Sequence, residues 1–263
     1  MGLRHWGQRE RHHRRYVLKA DTSRQWRLLD LQALDTRLDQ IEHRKATLPE
    51  LAELRVLDAQ TSALDDDLVR ARTALDDVQR EIAKAESDVQ LVRERSARNQ
   101  ARMEAGQGTA KDMQALHHEV ESLARRQSDL EDVELEVMER AEGLAADVSR
   151  LEGARAELAA HVEELEALRD KAFAEMDAEV EQIGHSRGDV VAGVGQDLVD
   201  LYAKIRASSG GIGAAVLRQR RCEGCNLELN QVDINRFTAA EQDEVLRCEE
   251  CRRILVRTSE SGI

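Results

Sequence analysis

The chain has 263 residues, with 52 acidic and 39 basic side chains, a formal net charge of −13 and only 2% aromatic residues. A globular enzyme domain of this length usually buries a core rich in Phe, Tyr and Trp, so this composition is more typical of a long helical or coiled-coil protein. The sequence contains no apolar run approaching the roughly 20 residues of a membrane-spanning helix, and we expect a soluble protein.

Residues 1–19 form a basic arm with six basic side chains against Glu10 alone. The run from Arg14 to Lys19 resembles the start of a twin-arginine export signal, but Asp21 and Arg24 interrupt the apolar segment that such a signal requires. We therefore expect a disordered arm and no export. The alternative is a weak anchor for nucleic acid.

From residue 31 onward, apolar residues recur with the alternating spacing of three and four that is typical of a coiled-coil seam. Pro49 interrupts the first stretch, and Thr47 with Glu50 has the form of a capping box, which predicts a break or kink there. The spacing then holds for five heptads, with these seam residues: Leu57, Thr61, Leu64, Leu68, Ala71, Leu75, Val78, Ile82, Ala85, Val89 and Val92.

The seam pattern lapses over residues 104–110, where Gly106 and Gly108 indicate a turn. A second seam of similar length follows, from Leu116 to Leu165, and extends less strictly to Ile183. Two arms of nearly equal length joined by a short turn favour an antiparallel hairpin over residues 20–185, with Ile41 near Phe173. A parallel dimer is the alternative.

Most of the negative charge lies in this predicted hairpin, since residues 20–195 carry 23 basic and 40 acidic side chains. Such a rod should repel duplex DNA, because phosphate contacts dominate nucleic-acid affinity. Arginines do cluster near the predicted turn, at Arg93, Arg95, Arg98 and Arg102. We interpret them as partners of salt bridges across the hairpin in preference to a docking surface.

Glycines mark the segment that follows the rod, with Gly188, Gly193 and Gly195 in a stretch where charges become sparse. Residues 186–211 are therefore interpreted as a hinge followed by a short helix that ends before Gly210. Residues 212–258 are expected to form a small ribbon with strands at 214–217 and 254–256, and residues 259–263 a tail.

All four cysteines lie in this last module, as two Cys-x-x-Cys pairs: Cys222 with Cys225, and Cys248 with Cys251. This spacing lets each tight turn direct two thiolates at one ion, and the 22 residues between the pairs allow the chain to return. The pattern predicts one structural Zn²⁺ held by four thiolates. A thioredoxin-like redox site and a catalytic zinc are poorer interpretations, because the strand–helix context and an open coordination position are missing.

Arginines flank both cysteine pairs, which would give a basic face on an otherwise acidic protein if the ribbon brought them together. A scatter of solvated arginines is an equally good interpretation. The candidate residues for binding nucleic acid or a partner are Arg218, Arg220, Arg221, Arg252 and Arg253.

The segments Arg221–Leu229, Val245–Val256 and Lys111–Leu123 resemble the corresponding segments of bacterial four-cysteine zinc-ribbon proteins with an N-terminal coiled-coil hairpin, and actinobacterial members are most similar. The resemblance implies a mainly α fold, with a long antiparallel coiled-coil hairpin followed by a small C-terminal zinc ribbon. Some relatives are linked to the alternative sigma factor sigma-54 and to export components, while others are classed as candidate nucleic-acid-binding proteins. Arg252 departs from the family, in which a glycine often follows the second knuckle.

No nucleophile, general base or open metal position is apparent, so we do not expect an enzyme or a small-molecule substrate. The favoured hypothesis is a cytoplasmic, non-enzymatic adaptor that binds protein partners of the transcription or translation machinery. The alternative is an RNA- or DNA-binding protein that uses the basic face of the ribbon.

Overall fold

The computed structural model describes residues 18–106 and 108–263, so almost all of the basic arm predicted at residues 1–19 lies outside the described residues. The chain divides into two compact units. Residues Pro49–Arg169 form the helical unit, and the segments up to Leu48 and from Asp170 onward form the ribbon unit.

The fold is mainly α, with long helices that form a hairpin and a small C-terminal ribbon, as predicted. The helices are α1 (Thr22–Ala46), α2 (Pro49–Glu104), α3 (Ala110–Val194), α4 (Gln196–Ser208) and α5 (Gln231–Ala239). The strands are β1 (Ala214–Arg218), β2 (Arg221–Cys222), β3 (Leu246–Arg247) and β4 (Ile254–Arg257). None of the helices in the described residues is long and apolar enough to cross a lipid bilayer.

The helical unit is the antiparallel hairpin that the heptads predict. Its buried apolar residues all lie on the two predicted seams: Leu57, Leu68, Val78, Ala85 and Val89 on α2, and Leu116, Leu130, Val137 and Leu165 on α3. Ion pairs between the helices confirm the direction, since residue numbers fall on α3 as they rise on α2: Asp65 with Arg155, Arg72 with Glu152, Arg93 with Glu131, and Arg95 with Glu119.

Of the four arginines near the turn, Arg93 and Arg95 form the salt bridges across the hairpin that the interpretation predicts. Arg93 and Arg95 pair with carboxylates across the hairpin, and Arg98 lies 3.7 Å from Glu94 on its own helix. At the turn itself, Gly106 and Gly108 take positive φ values of 62° and 133°, which side chains disfavour.

The start of α3 is stabilised by Asp112. Its carboxylate accepts the backbone N–H of Thr109 at 2.8 Å, and this bond is the largest reason why the pKa of Asp112 lies below its ordinary value. The orphan N–H groups of the first turn are thereby partly satisfied.

The chain breaks before Pro49, as predicted, but the proposed capping box is wrong. The Thr47 hydroxyl donates to the carbonyl of His43 at 2.8 Å, so it closes the end of α1 instead of opening α2. Pro49 itself occupies the first position of α2, where the missing N–H of proline costs nothing.

In the ribbon unit, α1 packs against the C-terminal part of α3. Ile41 is fully buried with Met176 and Ile183, and Phe173 packs against the same cluster. The predicted proximity of Ile41 and Phe173 is therefore confirmed.

The segment from Ser186 to Val194 is helical, although its glycines favoured a hinge. α3 runs without interruption to Val194, and the break is the single residue Gly195, with φ of 88°. Val194 is fully buried, and Val190 and Val191 pack against the same core. This packing outweighs the helix-propensity cost of about 1 kcal/mol for each glycine.

The four strands form one sheet in the order β2-β1-β4-β3, in which β1 and β4 are parallel and the other neighbours are antiparallel. One face of the sheet shares a core with the helices, where Ala214, Ile254 and Val256 pack with Leu28 and Tyr202. The other face holds a second cluster around Leu217 and Phe237. The ribbon is thus built into the same core as α1, α3 and α4.

Candidate zinc centre

Two tight turns, which we call knuckle 1 (Cys222–Cys225) and knuckle 2 (Cys248–Cys251), carry the four cysteines. In each, the residue after the second cysteine donates its N–H to the carbonyl of the first: Asn226 to Cys222 at 2.7 Å, and Arg252 to Cys248 at 2.9 Å. Both of these residues have left-handed backbones, with φ of 58° and 63°. Arg252 therefore takes the conformation for which the related proteins often use glycine.

The two knuckles bring all four sulfur atoms within 4.8 Å of one another. The Sγ atoms of Cys222 and Cys251 lie 3.8 Å apart, and those of Cys225 and Cys248 lie 4.0 Å apart. Four thiolates at the Zn–S distance of about 2.3 Å in a tetrahedron are separated by roughly 3.8 Å. The cluster therefore fits a zinc ion without rearrangement of the chain.

Burial and hydrogen bonds affect the thiols differently. Burial raises the pKa of Cys222, and this effect exceeds the opposing one of the backbone N–H groups of Cys225 and Gly224. Burial likewise raises the pKa of Cys248. Burial also opposes ionisation of Cys251, but its pKa is lowered overall, because the N–H of Arg253 and neighbouring thiols donate to it. A divalent cation would supply the charge that holds all four as thiolates.

The donor set and its surroundings indicate one structural zinc ion. Four cysteines complete a tetrahedral shell and leave no position for water or substrate. Cys222 and Cys248 are completely buried and pack with Leu217, Phe237 and Leu255. The ion would therefore hold the two knuckles together against the apolar core of the ribbon.

Three of the five candidate arginines lie around β1 and β2. Arg218 is paired with both Glu223 and Glu260, at 3.0 and 2.9 Å. Arg220 donates to the carbonyl of Gly262 at 3.1 Å, and Arg221 donates to that of Asn226 at 3.2 Å. Arg218 and Arg221 are cross-strand partners.

The other two candidates, Arg252 and Arg253, lie before β4. Arg252 is paired with Glu249 at 3.1 Å. The guanidinium of Arg253 is directed inward and donates to three carbonyl groups, those of Ile212, Gly224 and Ser209. It fastens knuckle 1 to the segment before β1, which is a structural role.

The parallel pairing of β1 and β4 separates the two groups. Ala214 is opposite Ile254, and Leu217 is opposite Arg257, so Arg252 and Arg253 lie at the start of these strands while Arg218 lies at their end. Arg253 is therefore five residues from the level of Arg218, which at about 3.3 Å per residue is on the order of 16 Å. The sheet does not bring the five arginines together at one edge.

Sequence reasoning missed a buried polar cluster around Asp35 in the ribbon unit. Asp35 accepts from the Tyr202 hydroxyl at 2.8 Å and from Arg187 at 2.7 Å, and the Nε of Arg206 lies 3.6 Å away. A signal was present, because Asp35 lies four residues after Leu31 on the buried stripe of α1. A buried carboxylate requires cationic partners.

Comparisons with known proteins agree with this architecture. The sequence profile of the CT398-like coiled coil hairpin domain matches residues 31–210, and that of the C4-type zinc ribbon domain matches residues 221–255. The second match contains all four cysteines.

Similar proteins occur in mycobacteria. A Mycobacterium tuberculosis protein is 37% identical over 244 residues, which cover 91% of this chain and 98% of that protein. A solved structure from Mycobacterium smegmatis is 39% identical, has a TM-score of 0.82, and is matched over 92% of this chain and 100% of its own. The structure of CT398 from Chlamydia trachomatis, at 16% identity, shares the fold with a TM-score of 0.66 over 89% of this chain and 98% of its own.

Proposed function

The chain belongs to the CT398-like coiled coil hairpin family and carries a C4-type zinc ribbon, and on that basis we propose that it is a non-enzymatic adaptor that binds protein partners. The observation that carries the proposal is the shared core of helices and ribbon. Leu28 of α1, Tyr202 of α4 and Ile254 of β4 belong to one buried cluster. A metal site closed by four thiolates stabilises the scaffold and leaves no coordination position at which a substrate could react.

The partners that we propose are components of the transcription or translation machinery, in the cytoplasm. Four free thiols arranged for metal binding suit a reducing compartment, since an oxidising one favours disulfides. The excess of acidic side chains suits a protein surface rich in basic residues, as surfaces that bind nucleic acid are.

A pull-down from the native cell tests the adaptor. The full chain is the bait, and a chain with Cys248→Ser and Cys251→Ser is the matched variant, because it removes two zinc ligands and leaves the helical unit unchanged. We expect defined proteins to be retained at about 150 mM salt, where weak charge contacts are screened. Retention of no protein above an unrelated coiled-coil control would contradict the proposal.

Binding of RNA or DNA is the second candidate, and it rests on Arg220 and Arg221. Their hydrogen bonds go to backbone carbonyls, so neither charge is offset by a carboxylate among the contacts of the described residues. Arg218 and Arg252 are less suitable, because carboxylates already pair with them.

Salt dependence distinguishes the two functions. Binding of RNA of mixed sequence and of duplex DNA is measured between about 50 and 200 mM salt. The variant combines Arg218→Ala, Arg220→Ala and Arg221→Ala. A nucleic-acid-binding protein loses affinity steeply as salt rises, and the triple variant flattens that slope. If the parent chain binds neither ligand at the lowest salt, the second candidate is excluded.

A further inference from the structure

Arg253 contacts both knuckles of the zinc centre. Its backbone carbonyl accepts the N–H of Cys248 at 3.0 Å, and its own backbone N–H donates to the sulfur of Cys251. Nη1 of its guanidinium donates to the carbonyl of Gly224 in knuckle 1 at 2.9 Å. The same side chain also donates to the sulfur of Cys251. One residue therefore connects the two pairs of cysteines.

The guanidinium of Arg253 forms no ion pair with a carboxylate among the residues that the structure describes. Its Nε and Nη2 donate to the carbonyls of Ile212 and Ser209, at 3.0 and 2.6 Å. These two bonds and the bond to Gly224 are all partly buried. A cation that is removed from water is costly unless an opposite charge compensates it. Thiolates could supply that charge, because the side chain already reaches the sulfur of Cys251.

An occupied zinc centre has the complementary requirement. Four thiolates carry more negative charge than one Zn²⁺ ion neutralises. Cys222 and Cys248 are completely buried, so water does not reach them to stabilise the remaining charge. Hydrogen-bond donors and cations of the surrounding chain have to do so instead.

The other arginines near the knuckles are less suited to this role. Arg218 and Arg252 are already paired with carboxylates. The guanidinium groups of Arg221 and Arg247 donate to carbonyls in exposed bonds, where water weakens the effect of a charge. Arg253 combines a guanidinium that has no carboxylate partner among these contacts with partly buried bonds and a contact to a cysteine sulfur.

A glycine in knuckle 1 leaves room for the Arg253 side chain. A Cβ atom at Gly224 would lie 2.7 Å from Cδ of Arg253 and 3.0 Å from Cβ of Ala215. Carbon atoms in van der Waals contact are about 3.5–4.0 Å apart. A larger residue at this position would therefore push the arginine or the knuckle away, so the sequence of knuckle 1 is adapted to Arg253.

We propose that Arg253 is the counter-ion of the zinc centre, where its positive charge offsets the remaining negative charge of the four thiolates and so raises the affinity for zinc. Arg253 is a positioning residue and not a ligand, because it acts on the metal through the cysteine sulfurs and through Gly224. The proposal depends on the zinc centre and not on the adaptor function, so its failure would leave the proposed function intact.

Two substitutions separate the charge of Arg253 from its hydrogen bonds. Arg253→Lys keeps the positive charge and Arg253→Gln removes it, while both lose the planar fork that reaches three carbonyls. The ratio of the zinc affinities of these two variants therefore reports the charge. The full chain is used, and the affinity for Zn²⁺ alone is measured by competition with a chromophoric chelator.

Arg257, at the opposite end of β4, provides the matched pair of variants. Its guanidinium is also partly buried, and it also donates to backbone carbonyls, which belong to Ala240, Glu241, Gln242 and Glu244. None of its contacts within the described residues joins it to a cysteine. Arg257→Lys and Arg257→Gln therefore make the same changes of charge and hydrogen bonding in the same sheet, without a direct effect on the sulfurs.

We expect Arg253→Gln to bind zinc about 10–100-fold more weakly than Arg253→Lys, and the two Arg257 variants to bind zinc equally. Retention of zinc by Arg253→Lys and by Arg257→Gln, with none retained by Arg253→Gln, would be the extreme form of this result. Equal affinities of the two Arg253 variants, or loss of zinc from both, would overturn the proposal, because charge would then not maintain the site. The same ratio at Arg257 as at Arg253 would overturn it too, since the effect would come from the stability of the sheet.

Discussion

The Tyr202 hydroxyl donates a hydrogen bond of 2.8 Å to Oδ2 of Asp35, and the side chain of Asp35 is only 5% exposed. Tyr202 itself is 1% exposed and lies in the core shared by α1, α4 and the sheet. Since Arg187 and Arg206 approach the same carboxylate, one buried acid connects α1, α3 and α4. The same core contains Ala214 and Ile254 of the sheet.

Removal of the hydroxyl tests how much the cluster contributes to folding. We expect Tyr202→Phe to lower the free energy of unfolding by about 1.5–3 kcal/mol, because one hydrogen bond to a charged group is lost. Asp35→Ala should cost about 3 kcal/mol or more, because Arg187 and the buried Tyr202 hydroxyl both lose the carboxylate to which they donate. Urea unfolding followed by far-ultraviolet circular dichroism measures both.

Asp39→Ala is the matched control for Asp35→Ala. Asp39 also pairs with Arg206, but its side chain is 54% exposed, so its removal should change stability much less. Equal costs for the two substitutions would contradict a special role for the buried carboxylate.

The same contact predicts that the stability of the protein depends on pH in the alkaline range. Burial, and then the bond to Asp35, raises the pKa of Tyr202 well above its ordinary value of 10.0. Because the folded state disfavours the phenolate, the stabilisation is complete below about pH 10, the pKa of a tyrosine in the unfolded chain, and declines as the pH rises further.

The difference in unfolding free energy between the parent and Tyr202→Phe, measured from pH 8 to 11.5, isolates this effect from other titrating groups. The advantage of the parent should begin to shrink near pH 10 and should become smaller with each further step up to pH 11.5. A constant difference over that range would show that Tyr202 ionises as readily in the folded state.

How far sequence predicts this structure depends on whether a feature is local. The seam from Leu57 to Val92 and the two cysteine pairs are patterns of spacing along the chain, and each could be predicted. The relation of Arg218 to Arg253 depends on the parallel pairing of β1 with β4, which brings together strands that are far apart in sequence. The helical state of residues 186–194 depends likewise on the packing of Val190, Val191 and Val194 against the shared core.

Removal of zinc should unfold the ribbon and spare the hairpin. The small sheet buries Cys222 and Cys248 in its own core, and the metal supplies much of the folding free energy of such modules. We expect a chelator that competes for zinc to abolish the packing of the sheet, observed as lost dispersion of its amide resonances. The helical circular dichroism should remain largely intact.

Readdition of one equivalent of Zn²⁺ should restore those resonances. The Cys222→Ser variant is the control, and it should give the chelator-treated spectrum with or without added zinc. A parent spectrum that is unchanged by complete removal of the metal would show that the ribbon folds without it.

A substitution of Asn99 should raise the stability of the protein, whereas the substitutions above lower it. It occupies a seam position of α2 and is only 7% exposed, and its Nδ2 has no hydrogen-bond partner among the residues that the structure describes. An unpaired buried amide costs about 1–3 kcal/mol, so Asn99→Leu should stabilise the hairpin by about 1–2 kcal/mol. Thermal unfolding of the full chain measures the change.

Gln100, the exposed neighbour of Asn99, gives the control, since Gln100→Leu should leave stability nearly unchanged. A destabilising effect of Asn99→Leu would indicate that the amide is satisfied, for example by an internal water molecule.

Substitutions at Arg253 and at Arg220 distinguish an arginine that stabilises the ribbon from one that could bind a ligand. Its guanidinium donates to three backbone carbonyls at 2.6, 2.9 and 3.0 Å, so Arg253→Ala would leave three acceptors unpaired in a part-buried site. We expect a loss of about 2–3 kcal/mol in stability. Arg253→Lys should recover only part of it, because an ammonium group cannot reproduce the planar fork of a guanidinium.

Arg220→Ala provides the comparison, because its single bond to Gly262 is exposed and should contribute little to stability. If the ribbon binds RNA, affinity at low salt should fall for Arg220→Ala and not for Arg253→Lys, once both proteins are shown to hold one zinc ion. A fall in affinity for Arg253→Lys alone, with unchanged thermal unfolding, would instead place Arg253 in the binding surface and contradict the inward orientation of its side chain.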